Sequence, residues 1–516
     1  MKKRQIKFYV LLALMTVLTF SCTDLKIEGT DSIILESSGG EFTGVANVQT
    51  SLDNLYNGVR GQVESHEALF GINEVSSDEL IIPTRGTDWG DNGIWRKLHQ
   101  HTWGPNHLFL LNTWNNFNQN VFLANEIIDS RSSPSAQQEA EAKFLRAFNM
   151  WVILDMFGQV PFREVDEGPE IDPKVFTRTE GLDFILQDIE DALAGLSSIG
   201  PGAGTNKAGK AAALFLKARI LLNKHVYNGS GSADSGDMQT VISLVDDIAA
   251  EGYGLETGYF DIFKEAADNE TIFHTTSSTG NRMWSGLHYH QVTPSQTGGG
   301  WNGFSTLAEF YDLFEGPATS NFAGEGQEER RGWVPDGTNT DPTNYGMGFG
   351  FLIGQQVGND GSPLTDRAGA PLVFTKEFAG MVGNNERHGV RVLKYHPANG
   401  DFANHVIVFR YADAHLMKAE AMLRSGGDAT AMVNELRQLR GASDLGSVSE
   451  SDMLEERGRE LYQEAIRRVD LIRFGEFTKD WEFKNPDAVG DVNRNLFPIP
   501  TNALLSNPNL TQNPGY

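Results

Sequence analysis

The chain has 516 residues, of which 40% are hydrophobic and 10% aromatic, enough apolar material for a sizeable globular core. Its 68 acidic and 42 basic residues give a formal net charge of -26, which argues against a nucleic-acid ligand, because phosphate binding needs clustered lysine and arginine. The same balance argues against attachment to anionic lipid through a basic face, and it is compatible with a neutral ligand.

The N-terminus has the layout of a bacterial lipoprotein signal. Lys2-Lys3-Arg4 precede an apolar stretch, Phe8 to Phe20, that is too short to span a membrane. Cys22, the only cysteine in the sequence, follows this stretch. We expect residues 1–21 to be a signal peptide, Cys22 to carry acyl chains, and residues 22–45 to tether the body to a membrane. A plain signal peptide with an incidental cysteine is the alternative.

Helical periodicity dominates both ends of the expected body, residues 46–516. Apolar residues spaced at i, i+3, i+4 and i+7 predict antiparallel helix pairs, which are Asn112–Ile128 with Glu139–Phe157, Ala208–Val226 with Met238–Ala250, and Tyr411–Leu423 with Ala429–Leu439. A further helix is predicted over Met453–Phe474. Such pairs are typical of tetratricopeptide-like hairpins, so we expect a mainly α-helical scaffold over about 46–270 and 406–475.

Residues 275–405 differ from the helical regions. They are rich in Gly, Asn, Thr and Trp, and short apolar runs such as Pro371–Thr375 and Val390–Leu393 predict a few short strands. Long stretches without helix usually serve function, and Ser76–Pro105 is a second one. We expect these loops to carry the ligand-binding face of a single body.

Enzyme signatures are missing from the sequence. Neither a Gly-x-Ser-x-Gly elbow nor a His-Glu-x-x-His motif occurs, and the P-loop-like segment 204–210 is followed by Ala211 where a hydroxyl must hold magnesium. His99-Gln-His101 and His288-Tyr-His290 would pair imidazoles if they lay on strands, which is weak evidence for zinc. We expect no catalytic residue, no cofactor and no metal.

Several segments together resemble the SusD/RagB family, the outer-membrane nutrient-binding lipoproteins of the Bacteroidetes. They run in the family's order over essentially the whole chain after the signal. The segments are Ala142-Lys-Phe-Leu-Arg-Ala-Phe148, Phe157-Gly-Gln-Val-Pro-Phe162, Phe409-Arg-Tyr-Ala-Asp-Ala-His-Leu-Met-Lys-Ala-Glu420, Val433-Asn-Glu-Leu-Arg437, Glu456-Arg-Gly-Arg-Glu-Leu461, Arg467-Arg-Val-Asp-Leu-Ile-Arg473, Leu496-Phe-Pro-Ile-Pro500 and Asn507-Pro-Asn-Leu-Thr-Gln-Asn-Pro-Gly-Tyr516.

The resemblance implies a body of four tetratricopeptide-like units with an irregular ligand-binding face. It also implies a carbohydrate ligand at the outer-membrane surface and a TonB-dependent β-barrel transporter of the SusC type, over which the protein acts as a lid. One departure is Ala465, where the family usually has glycine. We expect this residue to lie in a helix, where alanine is the easier fit.

Sugar recognition needs exposed flat aromatic rings with hydrogen-bonding side chains around them. Trp89 and Trp301 lie among Gly, Asp and Asn residues, a turn context that would expose an indole, in loops that correspond to the family's ligand sites. The expected ligand-binding residues are Trp89, Trp301, Asn302, Arg85, Asp78, Asp91, Trp284 and Tyr289. By contrast, we expect Trp95, Trp103 and Trp114 to be core residues, because their context is helical or apolar.

Two other functions remain open at this stage. Neighbouring acids such as Asp78-Glu79 would allow a surface glycoside hydrolase, although a sequence does not give the separation of the two carboxyl groups. A binder of peptides or of other nutrient cargo is the third possibility, because helical repeats often hold peptides.

Overall fold

The computed structural model describes residues 42–264, 267–276, 280–294, 298–338, 342–399 and 405–516. The expected signal peptide, the lipidation site at Cys22 and nearly all of the expected tether lie outside the described residues. Residues 43–516 form one compact unit. In the described part of the chain, no helix is both long enough and apolar enough to cross a membrane.

Most helices lie on either side of the loop-rich region and form the scaffold, and two short helices lie within that region. In chain order the helices are α1 Val48–Glu64, α2 Leu69–Val75, α3 Ile94–His99, α4 Leu108–Ile128, α5 Ala136–Phe157, α6 Arg178–Gly195, α7 Lys210–Tyr227, α8 Ser235–Ala250, α9 Gly280–Gly286, α10 Ala308–Tyr311, α11 Tyr411–Arg424, α12 Thr430–Leu439, α13 Glu450–Leu461, α14 Arg467–Arg473 and α15 Thr501–Ser506. The three predicted helix pairs are confirmed as α4 with α5, α7 with α8, and α11 with α12, each packed against its partner.

Helix α5 shows how the sequence sets the ends of an element. Ser135 accepts a hydrogen bond from the backbone of Gln138, and the Gln138 side chain bonds back to the cap, which together form a capping box. The helix ends at Gly158, whose φ of +72° suits glycine and whose N–H donates to the Leu154 carbonyl. Between the caps α5 is almost wholly buried, since it packs on α4 on one side and on α6 on the other.

Short antiparallel strand pairs occur both in the helical scaffold and in the loop-rich region. The strands are β1 Leu80–Ile81, β2 Val160–Phe162, β3 Lys174–Phe176, β4 Thr271–Thr275, β5 Ser305–Thr306, β6 Gly332–Trp333, β7 Phe349–Leu352, β8 Gly354–Gln355, β9 Val373–Phe374, β10 Arg391–Leu393 and β11 Val406–Arg410. Their pairs are β1 with β5, β2 with β3, β4 with β11, β8 with β9, and β7 between β6 and β10. The two apolar runs predicted to be strands therefore contain β9 and β10.

The helix predicted over Met453–Phe474 is wrong in one respect, because it breaks into α13 and α14. Gln463 and Ala465, between these helices, have φ values of +59° and +62°. The N–H of Gln463 donates to the Glu79 carboxylate at 2.6 Å, and the N–H of Ala465 donates to Glu74. Two buried carboxyl groups thus hold a left-handed turn that apolar periodicity does not reveal.

This turn also corrects the expectation for Ala465, which lies outside any helix. A left-handed conformation costs an L-residue about 1–2 kcal/mol, and glycine avoids this cost while losing about 0.4–1 kcal/mol more entropy on folding. Ala465→Gly should therefore stabilise the protein by roughly 0.5–1 kcal/mol, measured by chemical denaturation. Ala419→Gly within α11 is the matched control and should destabilise. A destabilising Ala465→Gly would contradict this explanation.

The paired histidines do not lie on strands. His99 ends α3, and its Nε2 lies 2.8 Å from the carbonyl oxygen of Glu482, while Nε2 of His101 lies 2.7 Å from the carbonyl oxygen of Ser76. These rings are buried structural groups rather than a pair of free imidazoles. Within the described ranges, no group of three or more His, Cys, Asp or Glu side chains is arranged to hold a metal ion.

Candidate functional site: two tryptophans beside an aromatic groove

Two loops far apart in sequence meet because β1 and β5 pair antiparallel, with Leu80 opposite Thr306. The loop that follows β1 and the loop that precedes β5 therefore leave this pair at the same end. Trp89 lies in the first loop and Trp301 in the second. The indole Nε1 of Trp89 donates a hydrogen bond to the backbone carbonyl of Trp301 at 2.7 Å, so the two residues expected to share a face are in contact.

The backbone around both tryptophans adopts conformations that bulky residues rarely take. Trp89 has a φ of +58°, and Asn302, next to Trp301, has a φ of +54°. At Gly303 an added Cβ would lie 2.2 Å from Cε2 of Trp89. The indole therefore packs directly on the backbone at Gly303, where any other residue would clash with it. Strained backbone of this kind concentrates at functional sites, where surrounding contacts hold it in place.

Aromatic rings support the two indoles from behind. The ring centroid of Trp89 lies 6.1 Å from that of Trp95 and 5.9 Å from that of Phe304, both in edge-on arrangements. His66 stacks on Trp95 at 5.8 Å and lies 5.9 Å from the ring of Trp301. Trp89 is half-buried in this cluster, whereas Trp301 is 40% exposed, a large apolar area to leave in water.

An open groove of about 510 Å³ begins at Trp89. It is lined by His66, Glu67, Trp89, Asp91, Asn92, Ile94, Trp95, Lys97, Asn106, His107, Leu108 and Phe109. The expected ligand-binding residue Asp91 is exposed on this groove. Leu108 adds an apolar side chain that is more than half exposed. Aromatic surface next to amide and carboxylate groups is the composition that a sugar ring requires.

Three of the expected ligand-binding residues lie beneath the surface and not on it. Trp284 is buried, and its carbonyl accepts the N–H of Trp301 at 2.6 Å. Asn302 is buried and accepts two hydrogen bonds from Arg391, at 3.0 and 2.7 Å. Arg85 is buried, donates to the carbonyls of Asn385 and His388, and is out of reach of a ligand. Their contacts fix the loops that carry the two indoles.

Asp78 is separated from this site. Its carboxylate forms a two-pronged ion pair with the Arg467 guanidinium, with both N–O distances at 2.7 Å. This pair lines a different cavity of about 340 Å³ beside Trp481. The structure thus brings together Trp89, Trp301 and Asp91, and it leaves Asp78 elsewhere.

Tyr289 belongs to a polar rim beside Trp89. Its hydroxyl donates to Asp88 at 2.8 Å, and the guanidinium of Arg367 lies 3.9 Å from the centre of its ring. Arg367 also donates to Asp88 at 2.6 Å and to Glu386. One face of Tyr289 is therefore covered by Arg367. Partial burial opposes ionisation of Glu386, but hydrogen bonds from Arg367 and His288 outweigh it and lower the pKa of Glu386.

His66 is the imidazole that contacts both Trp95 and Trp301. Burial lowers the pKa of His66 from 6.5 to about 4, so the ring is neutral at physiological pH. Its Nδ1 is buried and has no hydrogen-bond partner among the described residues. A neutral imidazole facing a groove can either donate or accept a hydrogen bond.

The folded state should lose stability in acid through His66. Because the folded pKa lies below the unfolded value, protons bind the unfolded chain preferentially as pH falls from 6.5 towards 4, which costs up to about 3 kcal/mol. His66→Phe keeps an aromatic ring and removes this titration. Urea denaturation at pH 7 and pH 4.5 should show a smaller acid loss in the variant. Equal losses in both proteins would contradict the assignment, since every other histidine is shared.

Sequence reasoning missed several groups at the site. His66 follows α1, Leu108 opens α4, and Arg367 lies in the loop-rich region without any local pattern that marks it. Asp88, directly before Trp89, could have been chosen on the same grounds as Asp91. Trp95, Trp103 and Trp114 are buried, as expected.

The fold and the groove define a tetratricopeptide-like helical protein with a loop-borne aromatic face. Residues 269–516 match the model of the SusD family. The chain is 26% identical to the starch-binding protein SusD of Bacteroides thetaiotaomicron, over 100% of both chains. The similarity to the SusD family is therefore strongest over residues 269–516, a little under half of the chain.

Solved structures have the same fold. A SusD-like protein from Bacteroides fragilis aligns with a TM-score of 0.69 and 20% identity, over 91% of this chain and 96% of that chain. The surface glycan-binding protein A from Bacteroides thetaiotaomicron, in complex with laminarihexaose, aligns with a TM-score of 0.63 and 18% identity, over 90% and 98% of the two chains. At these identities the likeness concerns the fold.

Proposed function

We propose that this chain is a cell-surface lipoprotein that binds a neutral polysaccharide on the face formed by Trp89 and Trp301. The observation that carries the proposal is the contact between these residues, which places an indole that is 40% exposed at the edge of an aromatic groove. Indole faces attract the apolar C–H faces of sugar rings, and Asp91, Asn92 and neutral His66 offer hydrogen bonds to hydroxyl groups.

The relatives support a glycan as the ligand. One is named as a starch-binding protein, and another was solved in complex with laminarihexaose. Both ligands are uncharged chains of glucose. The groove offers such a chain aromatic and aliphatic surface together with the polar groups of Asp91, Asn92 and Asn106. The bound glycan would pass to a TonB-dependent outer-membrane transporter of the SusC type, a partnership proposed from the resemblance to the SusD family.

The acidic residues of the polar rim favour binding without hydrolysis. A glycosidase needs one carboxylic acid with a raised pKa as proton donor and a second carboxylate across the sugar. At the rim, Arg367 bonds both Asp88 and Glu386, and the pKa of Glu386 is lowered. An acid held ionised by a guanidinium is a poor proton donor. In the groove, burial and the nearby Asp91 raise the pKa of Glu67, so the release of reducing ends is the measurement that separates binding from hydrolysis.

Affinity electrophoresis tests the proposal. The soluble form that begins at Asp24 is run through gels containing soluble starch, laminarin or other neutral polysaccharides, and each polymer is also assayed for released reducing ends. We expect retardation in at least one gel and no release of reducing sugar. Unretarded migration in every gel would contradict glycan binding, and release of reducing ends would favour the hydrolase.

The lipid anchor is tested separately at Cys22, which lies outside the described residues. Cys22→Ala should move the protein from the membrane fraction to the soluble fraction, because two or more acyl chains are needed for stable anchoring. Fractionation and labelling with a palmitate analogue provide the measurement. A variant that still labels and still partitions with the outer membrane would contradict acylation at this residue.

A further inference from the structure

Four of the five exposed residues of helix α4 are amides, and the fifth is Leu108. Its 21 residues include six asparagines and one glutamine, and Glu126 in the last turn is its only charged residue. The exposed amides are Asn112, Asn115, Asn116 and Gln119, and Asn118 is half-exposed. Within the described part of the chain, none of the four exposed amides has a hydrogen-bond partner for its side chain.

This composition is unusual for a surface helix in so acidic a protein. The next helix, α5, has five charged residues in 22, and α6 has one base and five acids in 18. Asparagine is also a weak helix former, since its side chain competes for backbone hydrogen bonds. Repeated exposed asparagines therefore lower the stability of the helix. The ion pairs that usually stabilise an exposed helix face are missing here, among the described residues, and do not offset this cost. A binding role would explain why the asparagines are kept.

The amide face leads into a second cleft, of about 460 Å³. One wall is α4, and the other is formed by the C-terminal helix α15 and the residues that follow it. The lining residues are Trp114, Asn115, Asn118, Val121, Phe122, Asn125, Pro161, Phe162, Arg163, Pro173, Asn502, Ala503, Ser506, Asn507 and Leu510. Arg163 is the one charged residue among them, and it donates to the backbone carbonyls of Glu167 and Gly168.

The same helix also forms the aromatic groove, because Leu108 and Phe109 line that groove at its N-terminal end. Leu108, Asn115 and Phe122 are spaced by seven residues, so they lie along one stripe of α4. With a rise of 1.5 Å per residue, Asn115 is about 10 Å and Phe122 about 21 Å along the axis from Leu108. A ligand that follows the stripe would pass from the aromatic groove into the second cleft.

We propose that the amide face of α4 and the second cleft form an extended subsite for the same neutral polysaccharide chain, beyond the Trp89–Trp301 face. This inference rests on the proposed function. Free amides can donate to and accept from sugar hydroxyls, and the half-exposed ring of Phe122 offers an apolar surface. The near absence of charge favours a neutral polyhydroxylated ligand over a protein partner, whose recognition would commonly use charged rim groups.

The test compares long and short ligands on matched variants. Binding of the soluble form to laminarin and soluble starch is compared with binding to laminarihexaose and maltohexaose. Asn115→Ala/Asn118→Ala removes two amides, and Asn502→Ala changes the opposite wall. The control is Gln239→Ala, an exposed amide on α8. Since alanine is the better helix former, the double variant should melt no lower than the parent.

We expect the double variant to bind the polymer about three- to tenfold more weakly and the hexasaccharide unchanged, whereas Trp301→Ala weakens both. Unchanged polymer binding, or an equal loss for polymer and hexasaccharide, would overturn the extended subsite while leaving the proposed function intact. Loss of a co-purifying outer-membrane β-barrel with unchanged polymer binding would assign this face to a protein partner. If the parent binds another neutral polysaccharide in the affinity gels and none of these four probes, the comparison is made with that polymer and its hexasaccharide. If the parent binds no polysaccharide at all, the proposed function fails and the extended subsite fails with it.

Discussion

Replacing Trp301 with alanine is expected to weaken glycan binding about five- to 150-fold, which corresponds to about 1–3 kcal/mol of lost aromatic contact. The fold should survive, because a side chain that is 40% exposed leaves no closed cavity when removed. The melting temperature should therefore stay close to that of the parent. Isothermal titration with the polymer that retards the chain in affinity gels gives the measurement.

Trp89→Ala and Trp333→Ala sharpen this prediction. Trp89 packs on Trp95 and Phe304, so its removal should reduce both binding and stability. Trp333 is half-buried in β6 and does not line the groove, so its removal should leave binding unchanged. Binding should also change little with salt, because a neutral ligand has no charge to screen. Undiminished binding in Trp301→Ala would show that the exposed indole is not the sugar platform.

Replacing Glu460 with alanine is expected to lower the free energy of unfolding by about 3–5 kcal/mol, the cost of leaving buried charges unpaired. Glu460 is fully buried on α13 and pairs with Arg410, Arg440 and Arg330 at N–O distances of 2.8, 3.0 and 3.3 Å. Burial alone would raise the pKa of Glu460, but the three guanidiniums outweigh it and lower the pKa.

This network joins parts of the chain that are far apart in sequence. Arg410 ends β11, Arg440 follows α12, and Arg330 lies in the loop-rich region, so their shared carboxylate ties the loops to the helical scaffold. The control is Glu455→Ala on the same helix. The Glu455 carboxylate is exposed, and its partner Arg459 keeps a second ion pair with Glu456, so the loss should be less than about 1 kcal/mol. Urea denaturation of both variants measures the difference, and a loss below 1 kcal/mol for Glu460→Ala would contradict the role of the network.

The helical scaffold could be predicted where apolar periodicity is strong and the caps are clear, as in α5. Helix α6 was missed although Thr177 and Glu180 form a capping box at its start, a signal that the sequence contains. The break between α13 and α14 could not be predicted, because nothing in the identities of Gln463 and Ala465 indicates a left-handed turn. Two carboxylates more than 380 residues away in the sequence stabilise that turn. Tertiary contacts, and not local propensity, determine the backbone conformation of this turn.

Only those features of the site that depend on local composition could be predicted from the sequence. Trp89 and Trp301 stand in glycine- and aspartate-rich turns, and the β1–β5 pair brings them together as expected. Arg85 and Asn302 share that composition, yet they point inward, because the carbonyls of loop 384–391 and the Arg391 guanidinium supply their partners. The part of the groove that α4 forms could not be predicted, because Leu108 looks in the sequence like any other residue of the apolar stripe of a helix.

The most direct test of the central claim is a crystal structure of the soluble chain with an oligosaccharide from the polymer that it binds. We expect sugar rings against the exposed face of Trp301 and along the groove beside Trp89, with hydroxyl groups within hydrogen-bond distance of Asp91, Asn92 or His66. An oligosaccharide bound elsewhere, with the face of Trp301 left in solvent, would contradict the account.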